Sequence, residues 1–188
     1  MKKQTILPFL LAACILMSSC KNSSPETKWE KIELGSMGLS VEAPFTFKEK
    51  NIESQLTPAV KKLIKKMETY VNDEKGSYYA INMAEYGDEV EFTMDRAVDG
   101  ALNEMRQKAG GKISNRKDEM KKINGNEASL TTATITDRND SKMEFQMAII
   151  NKGQKMYQLM GLYKQGSDEA RKNTAKMLES IHINQDDL

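Results

Sequence analysis

The chain has 188 residues, 39% hydrophobic, 29% charged and 6% aromatic, and its 28 Lys and Arg nearly cancel 27 Asp and Glu. That length suits one domain with a sizeable core, and a chain with only eleven Gly and four Pro is too apolar and too poor in breakers to be disordered. A net charge of +1 excludes nucleic-acid binding driven by bulk positive charge.

The first twenty residues differ from the rest. Lys2 and Lys3 precede an almost unbroken apolar run from Ile6 to Met17, and Ser18, Ser19 and Cys20 then lead into the polar Lys21, Asn22, Ser23 and Ser24. A basic start, an apolar stretch and small residues at its end describe a secretion signal. The run is shorter than the ~20 residues that a bilayer-spanning helix needs. Small residues directly before a cysteine resemble the lipobox of bacterial lipoproteins, and two cysteines compete for that role. Leu11-Ala12-Ala13-Cys14 fits the pattern more closely than Met17-Ser18-Ser19-Cys20, but cleavage before Cys14 shortens the apolar region and strands Ile15, Leu16 and Met17 on the mature end. Cleavage before Cys20 is therefore expected, with a signal peptide over residues 1–19 and a polar, flexible tether over 20–28. Diacylglycerol and acyl groups on Cys20 would hold the chain to a lipid bilayer. Lys21 is not the aspartate that keeps many lipoproteins at the inner membrane, so the outer membrane of the cell envelope is the expected location. With Cys14 removed and Cys20 acylated no thiol remains for a disulfide, and the body must be held by its core.

Residues 29–188 read as a single domain. Trp29 to Leu34 alternates like a strand, Gly35-Ser36-Met37-Gly38 as a turn, and Leu39, Val41 and Ala43 as a second strand. Thr57-Pro58 has the form of a helix cap with proline at the first helical position. Val60, Leu63, Ile64, Met67 and Val71 then recur at helical spacing, which predicts a helix running on to residue 71 with lysines 61, 62, 65 and 66 facing away. Residues 77–86 predict a strand. Thr93 begins a second helix, striped by Met94, Ala97, Val98, Ala101, Leu102 and Met105 and stopped by Gly110-Gly111.

The second half predicts strands over 118–123, 127–136, 142–151 and 154–164, joined by tight turns of which Asn124-Gly125 carries the strongest hairpin signal. Pairing 151 with 154 sets Phe145 opposite Met160. Continuing the register sets Leu130 opposite Met147, and Met120 beside Leu130. One apolar sheet face results. The opposite face carries Glu144, Gln146, Lys155, Tyr157 and Tyr163, a candidate interaction surface. A last helix starts at Ser167 and buries Ala170, Met177, Leu178 and Ile181. The expected class is α+β: an antiparallel meander sheet packed with about three amphipathic helices.

Little in the chain carries chemistry. His182 is the single histidine, with no second histidine or free cysteine to share a metal, and no Gly-x-Ser-x-Gly elbow or phosphate loop occurs. Asp137 to Ser141 lacks the glycine and terminal glutamate of a calcium loop and reads as a hairpin turn. Thirteen methionines are an unusual count. Met143, Met147, Met156 and Met160 share the apolar sheet face and suit a core, with a thioether Cu(I) site as the sharper alternative. The lysines of 61–66 suit a solvated face, or contact with anionic lipid or an acidic partner. No catalytic residue, metal ligand or cofactor is assigned.

The order of elements resembles the PsbP-like fold: two early strands, a helix, a strand, a helix closed by Gly-Gly, a long meander with an Asn-Gly turn, and a final helix ending Met177-Leu178-Glu179-Ser180-Ile181. That fold includes extrinsic photosystem subunits, a Ran-binding nuclear-transport protein and bacterial lipoproteins of the DcrB kind. The resemblance covers residues 29–183 and implies a small non-catalytic protein that binds or assembles something at a membrane or protein surface. The expected function is thus a membrane-anchored binding or assembly module with an envelope protein partner, and no nucleic acid. Two alternatives are a carrier of a small apolar ligand or metal between sheet and helices, and a hydrolase or transferase using scattered carboxylates.

Overall fold

Tight turns in the second half dictate an up-and-down meander, and a computed structural model describing residues 28–74 and 76–184 shows how that meander is covered. The hairpin β1 (Glu30–Leu34) and β2 (Leu39–Ala43) comes first, followed by the two-residue strand β3 (Lys48–Glu49). A six-residue helix α1 (Pro58–Leu63) opens directly into β4 (Ile64–Glu74), which pairs with β5 (Ser77–Tyr86). Helix α2 (Met94–Ala109) leads to β6 (Lys112–Ile123), β7 (Asn126–Thr136), β8 (Lys142–Lys152) and β9 (Lys155–Lys164). Helix α3 (Asp168–Glu179) and the short β10 (His182–Ile183) follow. Two antiparallel sheets result, β3-β4-β5-β9-β8-β7-β6 and β1-β2-β10. This is the α+β meander with three helices that the sequence predicts.

The large sheet is covered on both faces. On one, Val98 and Leu102 of α2 join Ala133, Ile135, Phe145, Met147, Ile149 and Met160. On the other, Leu39 and Val41 of the small sheet and Met177 and Leu178 of α3 join Ile81, Ala148, Ile150 and Leu159. Each of the Val, Leu, Ile, Phe and Met side chains among these contributes about 1.5–3 kcal/mol when fully buried. The ion pairs among the described residues sit on exposed side chains, apart from the 13%-exposed Glu68, and exposed pairs are worth only about 0–1 kcal/mol. Burial therefore dominates.

Three expectations are corrected. The helix predicted to reach residue 71 ends at Leu63, and Ile64–Glu74 is a strand. Thr57 does cap α1, accepting the Val60 N–H at 3.3 Å. Beyond Leu63, the β-branched and aromatic Ile64, Thr69, Tyr70 and Val71 fit a pleated surface, and pairing with β5 satisfies their backbone where an isolated amphipathic helix would rest on local propensity alone. The lysines are split as a result, 61 and 62 on α1 and 65 and 66 on β4.

The β7–β8 register differs from expectation by one residue: Leu130 stands opposite Ala148. The reason lies in the loop. Asp137 Oδ1 accepts the N–H groups of Asn139 and Ser141 at 2.8 and 2.9 Å, Asp140 takes a left-handed φ of +58°, and five residues separate Thr136 from Lys142. The β6–β7 register also shifts by one, with Met120 opposite Ser129, because Asn124 and Gly125, both at positive φ, close a two-residue hairpin. At β8–β9 the shift is two residues, Phe145 opposite Leu162. A one-residue shift exchanges faces and a two-residue shift keeps them, so Leu130 and Ala128 move to the α3 side. The third correction follows: there is no single apolar face, since α3 and the small sheet bury the side read as solvent-facing.

Candidate functional site

The structure does not bring the five residues of the expected interaction surface together at a surface. Tyr157 is 1% exposed and Tyr163 fully buried, and six strand positions separate them. Tyr157 donates its hydroxyl to the Met37 carbonyl at 2.9 Å, fastening the β1–β2 turn to the large sheet. Tyr163 accepts from Gln146 Nε2 at 2.5 Å and faces Glu144 across the β8–β9 pair. Burial, then the neighbouring Glu144 charge, push its phenol well above the ordinary 10.0. Glu144, Gln146 and Lys155 are half-buried. Helix α3 can close over this face because Gly161 lacks a side chain: a Cβ there would lie 2.5 Å from Thr174 Oγ1. These tyrosines are core, and the docking role is withdrawn from them.

The other candidates fall as follows. His182 is exposed on β10 opposite Ser40. Met147 is fully buried and Met160 is 9% exposed within the α2-side core. The Met147 sulfur accepts from Gln158 Nε2 at 3.1 Å, the end of a polar ladder in which Thr69 donates to Asn82 and Asn82 to Gln158. Among the described residues, no three His, Cys, Asp or Glu side chains converge to hold a metal ion, and no helix is long and apolar enough to cross a membrane. Cys14, Cys20 and the Ile6–Met17 run lie outside the described residues.

A groove of about 530 Å³ lies between α2 and β6. Gly110 creates it. Its φ of +65° and its N–H bonds to the Arg106 and Gln107 carbonyls end α2 in a left-handed cap. Gly111 then runs so close to the next strand that a Cβ would fall 1.6 Å from the Thr136 carbonyl oxygen. Asp99, Asn103 and Arg106 project from successive turns of α2, and Lys112 and Arg116 from β6, over an apolar base of Leu102 and Ile113. Arg116 is held in place by Asp99 at 2.7 Å through Nη1 and by Asp118 at 2.7 Å through Nε, bonds that raise its affinity for its proton further. Two of its five N–H groups are thereby used. Arg106 and Lys112 form no ion pair among the described residues, so the groove carries more positive than negative charge. Charge over an apolar base is its chemical character, and among the described residues it brings no nucleophile and base into hydrogen-bond reach. Sequence reading missed it because Arg106, Lys112 and Arg116 look like ordinary solvated charges. The usable signal was Gly110-Gly111, which forces helix and strand into a sharp reversal.

A smaller groove of about 280 Å³ runs along β4 beside residues 50–56. At its edge Glu68 accepts the Ser36 N–H at 3.2 Å and the Ser36 hydroxyl at 2.8 Å, with Lys66 3.2 Å away. Burial acts to raise the Glu68 carboxyl, but the Ser36 bonds and the Lys66 charge prevail and hold it below its ordinary value.

The solved structure of cyanobacterial PsbP (CyanoP) from Synechocystis sp. PCC 6803 matches this architecture over 89% of this chain and 99% of that one, with a TM-score of 0.59 and 8% identity. The chain has the PsbP-like fold. No protein-family model matches it, and no curated protein does by sequence. The PsbP-like fold is not a known enzyme family. At 8% identity the likeness carries backbone architecture and no residue roles.

Proposed function

We propose that the protein is a lipid-anchored envelope protein, tethered through Cys20, whose folded body acts without catalysis as a binding or assembly module. The α2–β6 groove is its binding surface. The observation that carries this reading is the pair of cations Arg106 and Lys112, which form no ion pair among the described residues, beside the Arg116 held by Asp99 and Asp118 and above the apolar Leu102–Ile113 base. Such a surface fits an acidic segment of a protein partner that also offers an apolar side chain, since electrostatic complementarity selects partners and an apolar anchor supplies most of the affinity. The anchor is supported by the basic start, the apolar run and the small residues before Cys20; Lys21 favours the outer membrane.

The test is photo-crosslinking in intact cells from a reactive amino acid at Asn103, with the exposed Gln165 as control. A discrete adduct from position 103 alone, lost in the Arg106→Glu, Lys112→Glu double variant, is expected. No adduct from 103, or one indifferent to charge reversal, refutes the groove as binding surface. Separately, Cys20→Ser is expected to abolish acylation, read as the mass of the mature chain, and to release the protein from the membrane fraction. Retention of the variant in that fraction would refute the anchor.

A further inference from the structure

Among the described residues, three large apolar side chains are exposed: Val60 at 38%, Leu63 at 41% and Met120 at 60%. Two of these belong to α1, which has no buried residue at all. Apart from Met120 on β6, the large apolar side chains of the other described elements are at least partly covered, so a helix that presents two to solvent and buries none is out of keeping with its surroundings. Its other residues are informative as well. Lys61 and Lys62 stand between Val60 and Leu63 and form no ion pair among the described residues, whereas Lys65 and Lys66 on the adjoining strand are engaged by Asp88 and Glu68. Lys50 lines the neighbouring groove with Lys61. An exposed aliphatic pair on either side of two lysines that form no ion pair among the described residues has the composition of a segment lying in a lipid interface: the apolar side chains enter the acyl boundary and the ammonium groups meet anionic headgroups.

What would bring a bilayer within reach is the chain that precedes the body. Trp29 packs under the Lys176 ammonium of α3 at 3.9 Å and fixes where the body begins. The nine residue steps from Trp29 back to Cys20 can extend at most about 32 Å. A lipidated Cys20 would therefore hold the body within about one domain diameter of the headgroups, where even a weak surface patch is presented at high effective concentration.

The topology adds a geometric reason. Helix α1 joins β4 at Ile64, whereas the α2–β6 groove opens at Lys112, at the other end of the sheet, because Lys112 pairs with Thr136 and, across the intervening strands, lies level with the Glu74 end of β4. Strands β5, β9, β8 and β7 stand between β4 and β6. Five strand spacings and ten residues of rise place the two features about 40 Å apart. A body resting on α1 would turn its binding groove away from the bilayer.

We infer that α1 is a membrane-facing foot, seating the anchored body on an anionic lipid surface through Val60 and Leu63 with Lys61 and Lys62 at the headgroups. The inference rests on the anchoring reading of Cys20, so its test supplies the anchor chemically. Residues 20–188 are coupled through the Cys20 thiol to maleimide-bearing lipid in vesicles of phosphatidylglycerol and phosphatidylethanolamine, which works whether or not cells acylate that residue. Trp29→Phe removes the single native tryptophan, and Leu63→Trp or Met120→Trp adds a reporter. Brominated lipid is expected to quench the reporter at 63 by at least half and to leave the one at 120 unchanged. Charge reversal by Lys61→Glu with Lys62→Glu, or vesicles of zwitterionic lipid alone, is expected to abolish the quenching. Equal quenching at both positions, no quenching at 63, or quenching that survives charge reversal overturns the inference. A chain found unacylated in cells would remove the anchor while leaving this measurement intact.

Discussion

Glu68→Gln is the substitution whose consequence is best fixed by the geometry. The Glu68 carboxylate lies against Gly35, where a Cβ would fall 1.8 Å from Oε2, and takes two donors from Ser36. It thus fastens the β1–β2 turn to β4. Hydrogen bonds to a charged group are worth about 1.5–3 kcal/mol; the amide keeps one accepting oxygen, and the half-exposed Lys66 adds little, so the loss should be about 2 kcal/mol at pH 7. The sign with pH follows from linkage. The folded carboxyl titrates below its ordinary 4.5, so its contribution is fully present above that value and disappears as pH falls through the folded pKa. Glutamine has no proton to gain. Urea unfolding of residues 20–188 at pH 7 and near pH 3 should therefore show a gap between wild type and variant that closes on acidification. A gap of the same size at both pH values would refute the electrostatic account, and no gap at neutral pH would refute the clasp itself.

Tyr157→Phe removes the donor to the Met37 carbonyl while keeping the ring in the core, and should cost about 1–3 kcal/mol in equilibrium unfolding; a loss within about 0.5 kcal/mol would show that the carbonyl finds another donor. Gly161→Ala drives a Cβ against Thr174 and should cost about 1–3 kcal/mol as overpacking. Thr174→Ala in the same chain should recover part of that cost, and strictly additive losses would mean that α3 does not close on β9 in the way described.

Element order was legible in the sequence wherever turn chemistry was explicit. Asn124-Gly125, Gly153 and Gly110-Gly111 punctuate the second half, and every strand and helix between them forms. Two things were not legible, and for physical reasons. Ile64 to Val71 satisfies a helical period and an alternating one together, and a strand partner at Ser77–Tyr86 decides between them, a long-range fact that no local window contains. The Asp137–Ser141 loop adds one residue through the side-chain bonds of Asp137, and one residue is enough to exchange the faces of β7. The candidate surface failed for the same reason: Tyr157 and Tyr163 were assigned to the right sheet face, but the reading left that face open, because what covers it comes from Leu39 and Val41 at one end of the chain and Met177 and Leu178 at the other. The groove was invisible because its cations are unremarkable until Gly110 folds β6 back along α2.

A sheet with both faces committed to core limits where any binding can occur. A half-covered meander could offer a broad flat platform, and mutating a surface tyrosine would then be the natural first experiment. Here the same tyrosines are structural, so changing them would lower stability and mimic a lost interaction. What remains for recognition is the perimeter: edge strands, turns, and the seams where helices meet strands. Long bare edges invite indiscriminate pairing, and β6 answers this with Lys117, Asp118, Glu119, Lys121 and Lys122, all exposed, and with a bulge between Ser114 and Lys117. Beside the single exposed Met120 on β6, two larger features do not fit such blunting: the α2–β6 seam, where two cations form no ion pair among the described residues, and α1, where two aliphatic side chains are exposed. Their positions at opposite corners of one rigid sheet allow a body held at one corner to present the other, and charge reversal at each corner should separate seating from capture. Lys61→Glu with Lys62→Glu should leave crosslinking from Asn103 in solution intact, and Arg106→Glu with Lys112→Glu should leave lipid quenching at position 63 intact.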